Sequence, residues 1–416
     1  MSTAMSLFGV LCAALAIAVA QESPYVLTRS RTVDVPLETA WRRCVGLVKS
    51  APVIVNAVDS LSHIITFTMP LSPASVKDLA LDAKEIEKQP LTMHVTVWIS
   101  AAGENSRLYI RAVPNGGGFF LHSNGQTELH LLDAIEKDGQ WISTDEGDAS
   151  RRKLDAAPQR AQDIALGVVR ASKQLTLNTA SADPAVLTLS LMLPSASLNQ
   201  FIVKPTKQEY PGAAHVTLWF DPSGSGSVLR MRTLILEDGS LSPVPLASNG
   251  RLESAIGDPI QKRLGGSSDA IVAVGSNYRG KQEFWNVLFD LDAPGKNPGA
   301  ARLTRELPVP VEQSWAAVLQ AVAQTNTVVG ADRSAGTLTF VVAHTSQVGT
   351  RYSVHRVIIA LEPTTFGSAM SISIPRSQET AEESDDELRL YAERVGTDLF
   401  LKSRLKWLTG TKEVKQ

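Results

Sequence analysis

Histidine is the residue type here with the widest chemical range, and three of the seven histidines recur in one sequence context. His94, His215 and His355 each begin a strand-like segment, in the order HVTVWIS, HVTLWFD and HRVIIAL. A zinc site needs ligands that converge on one point, and the sequence has no HExxH or CxxC pattern to bring them together. Because the three histidines belong to three copies of a repeat, we expect no metal site and no cofactor.

Cys44 is the one cysteine outside the N-terminal apolar run, so it has no partner for an intramolecular disulfide once that run is removed. A thiolate can act as a nucleophile, but Ala165 and Val318 occupy the same position in the other copies. Small apolar residues at that position are typical of a core site, where a free cysteine behaves as a small hydrophobe. We therefore expect Cys44 to be buried and unreactive.

Carboxylates recur in pairs on the second helix of the repeat, as Glu128 with Asp133 and as Glu253 with Asp258. Two acids held close together can perform general acid and base catalysis. Residues five positions apart do not share a helix face, however, and a glutamate near the start of a helix also stabilises the helix dipole. We predict no catalytic residues.

One strand-like segment divides its side chains between the two faces of a sheet. Val95, Val97 and Ile99 alternate with polar and aromatic residues, so we expect the aliphatic side chains to face the helices and the others to face away. The side away from the helices, called here the open face, is predicted either to bind a partner or to pack against the next repeat. Its predicted residues in the first two copies are His94, Thr96, Trp98, Arg111, His215, Thr217, Trp219 and Arg232.

These residues recur because the chain contains three copies of one sequence unit. The first helix of the unit lies in RTVDVPLETAWRRCVGLVKS, in RKLDAAPQRAQDIALGVVRAS and in RELPVPVEQSWAAVLQAV. In the third copy we expect His355, Val357 and Ile359 to make the open face more apolar. Self-similarity of this kind indicates that each copy is one structural unit.

The pattern within one copy predicts elements in the order β-α-β-β-β-β-α. In the first copy, apolar residues at helical spacing predict a helix over 37–50, and alternating segments predict the strands. Ser123 and Gln126 predict a capping box for the second helix. The expected fold class is α+β, with three tandem repeats that each form an antiparallel sheet with helices on one face.

This order, with a helix near each end of a five-stranded antiparallel sheet, resembles the TATA-binding-protein-like and helix-grip folds. The segments PVEQSW at 310–315 and ADRSAGTL at 331–338 are similar to the domains of the lipoprotein C subunit of the bacterial β-barrel assembly machine. The chain has three copies where that family has two, and it lacks the family's lipidated cysteine. The resemblance implies a fold rather than an activity, and a helix-grip fold permits an apolar ligand between helix and sheet.

The domain boundaries follow from the repeat. We predict a signal peptide at 1–20 and repeat domains at 22–141, 150–266 and 302–412. The linker or insert at 267–301 contains the apolar segment FWNVLF. That segment could bind a partner as a strand, or it could cover the edge of a sheet.

The composition is typical of a globular protein, with 44% hydrophobic and 20% charged residues. A formal net charge of -2 gives no basic footprint for nucleic acid. The run LFGVLCAALAIAVA ends in small residues, as a signal peptide does. We therefore expect a periplasmic or secreted protein with no membrane span after cleavage. An uncleaved anchor is the alternative, because no lysine or arginine precedes the run.

Together these observations favour a non-enzymatic binding or scaffold protein whose partners are proteins of the cell envelope. The first alternative is a carrier of an apolar small molecule or lipid, and the second is a hydrolase. A deep apolar cavity between helix and sheet would favour the carrier. A polar cleft with perturbed carboxylates would favour the hydrolase.

We predict that the mature protein begins at Gln21. Intact-mass spectrometry of protein from the envelope of its native cells should show a chain without residues 1–20, because the sequence AVA precedes Gln21. Replacing Ala18 and Ala20 by leucine should block cleavage and leave the full-length mass. An intact Met1 on the wild-type protein would show the prediction to be wrong.

Overall fold

The structure is a computed structural model, and it describes most of the three repeats. The residues that it describes are 28–51, 53–71, 91–116, 119–120, 123–138, 150–203, 212–237, 245–246, 248–265, 301–345, 352–375 and 388–396. The predicted signal peptide and the FWNVLF segment lie outside these ranges.

Repeat 1 has the predicted order of elements, with one short strand added before its second helix. Its elements are β1 Thr28–Val33, α1 Leu37–Ser50, β2 Ile54–Asp59, β3 Ile64–Leu71, β4 Leu91–Ala102, β5 Asn105–Gly116, β6 Phe119–Phe120 and α2 Gln126–Glu136. The helix α1 begins after Pro36, which holds the preceding chain extended. The buried residues of α1 form one apolar stripe, as their spacing predicts.

Repeat 2 follows the same order and adds a short helix and a short strand. Its elements are β7 Ser150–Leu154, α3 Pro158–Ala171, β8 Thr176–Ala182, β9 Ala185–Leu193, α4 Ser195–Leu198, β10 Gly212–Ser223, β11 Gly226–Glu237, β12 Pro245–Leu246 and α5 Arg251–Gly265. Pro158 is the first residue of α3, a position where the missing N–H of proline has no intrahelical partner to lose.

Repeat 3 also has this order. Its elements are β13 Ala301–Leu307, α6 Val311–Thr325, β14 Thr327–Asp332, β15 Thr337–Thr345, β16 Tyr352–Thr364 and β17 Gly367–Ile374, and residues 388–396 are helical. The predicted α+β class with antiparallel strands is therefore confirmed in all three copies.

The described strands form two sheets rather than three. Repeat 1 has the order β1-β5-β4-β3-β2, with β6 beside β5. Repeats 2 and 3 share the order β12-β11-β10-β9-β8-β14-β15-β16-β17-β13, with β7 beside β11. The two repeats join where β8 pairs in parallel with β14, and Thr179 lies opposite Ala331. This pairing covers two strand edges that would otherwise be open, and the sequence analysis did not predict it.

The core of each repeat lies between its sheet and its helices. In repeat 1 the aliphatic residues of β4, Val95, Val97 and Ile99, are buried in one cluster with Trp41 and Cys44 of α1. Repeats 2 and 3 have their own clusters of the same kind. The structure thus places the aliphatic face of β4 under the helices, as its alternating sequence predicts.

The three repeats meet where the equivalent strands β2, β8 and β14 contact one another. The pairing register shifts at the same place in each strand, at Asn56, Asn178 and Val329. The residue after each shift is small, and these residues are Ala57, Thr179 and Gly330. The shifts bend the strands and the small side chains let the backbones approach each other.

Two contacts show how close the approach is. The hydroxyl group of Thr179 donates a hydrogen bond to the main-chain oxygen of Asn56. A Cβ atom added at Gly330 would lie 2.8 Å from the main-chain oxygen of Asn178. Glycine is therefore required at residue 330 for the packing of repeat 3 against repeat 2.

We predict that Gly330→Ala lowers the free energy of unfolding by about 1–3 kcal/mol, because the new methyl group meets a main-chain atom that cannot rotate away. Gly46→Ala is the matched control: the Cβ position of Gly46 has nothing within 4 Å and lies inside α1. Alanine there should raise the free energy of unfolding by up to about 1 kcal/mol. Urea unfolding measures both effects, and equal changes in the two variants would contradict the close approach.

Candidate functional site

The structure buries the predicted open-face residues of repeats 1 and 2. All of them are buried except Arg232, which is half-buried. Trp98 of repeat 1 belongs to the hydrophobic cluster of repeat 3, and Trp219 of repeat 2 belongs to that of repeat 1. These two tryptophans therefore contact neighbouring repeats. A role for this face in binding a separate partner stays a prediction.

Repeat 1 meets repeat 3 through Trp98 and Asp59. Trp98 stacks on Tyr109, with 5.1 Å between the ring centroids, and shares a cluster with Trp315 of α6. The buried carboxylate of Asp59 accepts a hydrogen bond of 2.7 Å from the indole Nε1 of Trp315 and bonds of 3.0 and 3.2 Å from Arg333 Nη1. A buried carboxylate needs such charged and polar donors, so Asp59 fixes the position of repeat 3. The sequence analysis did not identify it.

Repeat 2 meets repeat 1 through Trp219. The ammonium group of Lys49 lies 5.0 Å from the centroid of the Trp219 ring, within the range of a cation–π contact. Lys49 also forms an ion pair with Asp221. Because Lys49 is in the last turn of α1, where a positive charge is favoured, the end of α1 contacts the open face of repeat 2.

Two open-face arginines bind the carboxyl-terminal ends of helices in another repeat. Arg111 Nη2 donates to the main-chain oxygen of Asn326, the C-cap residue of α6. Arg232 Nη1 donates at 3.0 Å to the main-chain oxygen of Ser50, the last residue of α1. The last carbonyl groups of a helix lack intrahelical partners and carry partial negative charge. Both guanidinium groups therefore stabilise contacts between repeats.

A buried hydrogen-bond chain holds His94 in repeat 1. Asn56 Nδ2 donates to Thr68 Oγ1 at 2.8 Å, and Thr68 Oγ1 lies 2.8 Å from His94 Nδ1. Burial, together with the positive charge of Arg111, lowers the pKa of His94 to about 3. His94 is therefore neutral at physiological pH.

Repeat 2 has the same chain. Asn178 Nδ2 donates to Ser190 Oγ, which lies 3.2 Å from His215 Nδ1. Burial lowers the pKa of His215 to about 3. The recurrence of an amide, a hydroxyl and an imidazole in two repeats indicates that these hydrogen-bond chains order the open face.

The third histidine of the sequence comparison is not equivalent to His94. The residues predicted for the third open face were His355, Val357 and Ile359. Instead the His355 ring lies 4.7 Å from the ring of Tyr391 in the helix at 388–396, and the other two residues lie in the core cluster. The register of the hairpins places Arg356 where repeat 1 has His94. That prediction is wrong because a shift of one residue reverses the face of a strand.

Cys44 is a core residue, as its equivalents in the other repeats predict. It is 1% exposed, and burial raises the pKa of its thiol to about 12. The thiol is therefore protonated at neutral pH, whereas a reactive cysteine is a partly exposed thiolate.

The recurrent carboxylates have separate structural partners. Glu128 is buried, its Oε2 accepts a hydrogen bond of 2.8 Å from Ser123 Oγ, and burial raises its pKa. Asp133 instead pairs with Arg31 of β1 at 2.5 Å. The two acids therefore hold different parts of repeat 1, and the structure does not bring them together as an acid and base pair.

The turn before α2 differs from the predicted capping box. Gly125, with φ of 86°, is the N-cap residue, and Asn124 Oδ1 accepts a hydrogen bond of 3.0 Å from the main-chain N–H of Gln126, the first residue of α2. Ser123 Oγ accepts a hydrogen bond from the main-chain N–H of Gly125 and donates to Glu128 Oε2. The pair of Ser123 with Glu128 thus replaces the predicted pair of Ser123 with Gln126. The reason is that Gly125 adds a residue with left-handed backbone to the turn.

A surface groove of about 350 Å³ runs along α1. Its lining residues are Thr39, Arg42, Arg43, Gly46, Leu47, Ser50 and Asp138. Most of them lie three or four residues apart, so they share one outer face of the helix. Arg42 is exposed, and Arg43 Nη1 donates at 2.6 Å to the main-chain oxygen of Glu136 at the end of α2. We call this site the α1 groove, and the sequence analysis did not predict it.

The floor of the α1 groove is open because residue 46 is glycine. Nothing lies within 4 Å of the position that a Cβ atom of Gly46 would take. In repeat 2 the equivalent position of Gly167 has Arg263 of α5 3.4 Å away, and repeat 3 has Gln320 there. The outer faces of the three helices have therefore diverged, although their inner faces all pack on a sheet.

Neither a metal-binding cluster nor a membrane-spanning helix occurs within the residues that the structure describes. No group of three or more histidine, cysteine, aspartate and glutamate side chains in these ranges is arranged to hold a metal ion. Among the same residues, no helix is both long enough and apolar enough to cross a membrane.

Comparison with known proteins gives distant likenesses. No family model and no curated protein matches this sequence. The di-domain ARO/CYC BexL from the BE-7585A biosynthetic pathway is similar at 11% identity and a TM-score of 0.19, over 58% of this chain and 89% of that one. The di-domain ARO/CYC StfQ from the steffimycin pathway has 9% identity and a TM-score of 0.17, over 57% and 91% of the two chains. Sequence identities and TM-scores this low assign no function to this chain.

We predict that the free energy of unfolding falls as the pH is lowered from about 7 to about 4. The pKa values of His94 and His215 are about 3 in the folded protein and about 6.5 in an unfolded chain. The unfolded chain therefore binds more protons, and the stability that is present above the unfolded pKa is lost as the pH falls toward the folded one. Each histidine contributes up to about 1.4 kcal/mol per pH unit.

Urea unfolding at several pH values measures this slope. The double variant His94→Gln, His215→Gln should give a flatter profile than the wild type between about pH 6.5 and 4. The control His130→Gln, at an exposed position of α2, should keep the wild-type slope. An unchanged slope in the double variant would contradict the prediction.

Proposed function

We propose that this chain is a non-enzymatic binding or scaffold protein of the periplasm or of the secreted compartment. In this proposal its three repeats act as one body, and the α1 groove receives a protein partner from the cell envelope. The observation that carries the proposal is the use of open-face aromatic and charged side chains as contacts between repeats. Residues that could have bound a substrate fix the repeats to one another instead.

The chemistry of the α1 groove favours an acidic segment of a protein. Among the described residues, the exposed guanidinium of Arg42 makes only weak local bonds, of 3.3 Å to the main-chain oxygen of Glu38 and of 3.4 Å to Thr39 Oγ1. A carboxylate of a partner would form a stronger, charge-assisted pair with Arg42. The absence of a side chain at Gly46 lets the partner's backbone approach α1.

The packing of the repeats supports a surface site over an internal one. In the described part of each repeat, the space between the helices and the sheet is occupied by a cluster of buried side chains. A carrier of an apolar molecule needs free volume at that place. Export is part of the proposal and rests on the N-terminal sequence alone.

The proposal is tested by affinity purification from the native cells after chemical cross-linking. The wild type is compared with Gly46→Gln, which gives repeat 1 the residue of repeat 3, and with Arg42→Glu. The control is Asp163→Lys at an exposed position of α3, and circular dichroism verifies that all variants are folded. We expect one protein recovered with the wild type and the control, and at least about tenfold less of it with both groove variants.

Equal recovery of that protein with all four baits would show that the α1 groove is not its binding site. Native mass spectrometry of the same preparations separates the carrier alternative, since a carrier would retain an apolar small molecule or lipid in equimolar amount. Such a molecule on wild-type protein, without a cross-linked partner, would contradict the proposed function.

A further inference from the structure

Arg111 is one of the largest side chains that are fully buried in the described part of the chain, with 2% of its surface exposed. Its Nη2 donates to the main-chain oxygen of Asn326. Its Nε and Nη1 atoms have no hydrogen-bond partner among the described residues. A buried guanidinium with unpartnered N–H groups is unfavourable, because these groups have lost water and gained no acceptor.

His94 presents a further unpartnered donor. Asn56 and His94 are the hydrogen-bond partners of Thr68 Oγ1. Asn56 Nδ2 donates to Thr68, which leaves the hydroxyl proton of Thr68 available to His94 Nδ1. In this arrangement the proton of the neutral imidazole is on Nε2, and this atom is buried with no partner among the residues described.

The strand register brings these donors to one place on the open face of repeat 1. Arg111 lies opposite Thr96, Thr96 lies opposite Thr66, and His94 is two residues from Thr96 on the same strand. Diagonal neighbours in an antiparallel sheet lie about 7–8 Å apart, within reach of a long side chain. The charge of Arg111 lowers the pKa of His94, which also shows that the two groups are close. Thr66 Oγ1, in the same row, is buried and unpartnered within the described part of the chain.

We propose that Arg111, His94 and Thr66 form a buried binding site for a small inorganic anion such as chloride at the junction of repeats 1 and 3. All three side chains offer N–H or O–H donors, and the guanidinium gives the site a positive charge. The main-chain oxygen of Asn326 accepts one of these donors, and an anion accepts the others. Because each of the three residues is at most 4% exposed, the site is closed and selects a small ion.

The repeats provide a matched control. The equivalent of Arg111 in repeat 2 is Arg232, which is half-buried, so water can reach part of its side chain and the position is less enclosed than that of Arg111. The hairpin register places Ser373 at this position in repeat 3. Of these three positions, only Arg111 of repeat 1 therefore encloses its guanidinium fully.

The test is unfolding of the full chain by urea while chloride is varied and methanesulfonate keeps the ionic strength constant. An ion that binds only the folded state raises the unfolding midpoint with the logarithm of its concentration. We expect this rise in the wild type and in Arg232→Met, and no rise in Arg111→Met. Thr66→Val, which keeps the shape of the side chain, should need about tenfold more chloride for the same rise.

Line broadening of the chloride-35 NMR signal measures binding directly and should be lost in Arg111→Met. A wild-type midpoint that does not depend on chloride would overturn the proposal and would assign the unpartnered donors to buried water. A folded Arg111→Met variant with the wild-type chloride dependence would overturn it as well. If that variant does not fold, Thr66→Val decides, because an unchanged chloride dependence in this variant is incompatible with the site.

Discussion

The contact of β2, β8 and β14 is the constraint on which the rest of the structure depends. Three strands that would each expose an edge meet instead, and they approach closely because Ala57, Thr179 and Gly330 are small. Once these strands are fixed, the end of α6 lies against the open face of repeat 1 and the end of α1 against that of repeat 2. The polar and aromatic character of the open faces follows from this placement, since each face must satisfy the carbonyl groups of a helix end.

Arginine is the residue that makes these contacts, and its chemistry explains why. Arg111, Arg232 and Arg43 each donate to the carboxyl-terminal end of a helix. A guanidinium carries several donors in one plane and a permanent charge, so it can serve carbonyl groups that no helix N–H reaches. The three arginines differ in burial: Arg232 and Arg43 are half-buried, and Arg111 is fully buried. Removing the guanidinium group from water therefore costs little free energy at Arg232 and Arg43 and much more at Arg111.

Local patterns predicted the elements well because they depend on residues close in sequence. The helix expected over 37–50 is α1 Leu37–Ser50, since one apolar stripe indicates the helix and Pro36 precedes its first residue. The contacts between repeats were not predictable in this way: Asp59 ends a strand, where an acidic residue is typical of a turn, and only the structure shows Trp315 beside it. The error at His355 has a similar cause. Both faces of β16 are largely apolar, so its sequence does not distinguish one register from the next.

The bond between Asp59 and Trp315 joins residues 256 positions apart, and this separation has a consequence for synthesis of the chain. Repeat 1 leaves the ribosome before α6 has been synthesised. Trp98 and the carboxylate of Asp59 therefore lack their partners in repeat 3 while repeats 2 and 3 are made. Contacts between residues so distant form late in folding. Until they form, the nascent chain exposes an aromatic sheet face of the kind that promotes association with other chains. Chains that end before repeat 3 lack the partners of Trp98 and Asp59, and we expect them to aggregate more readily than the full chain.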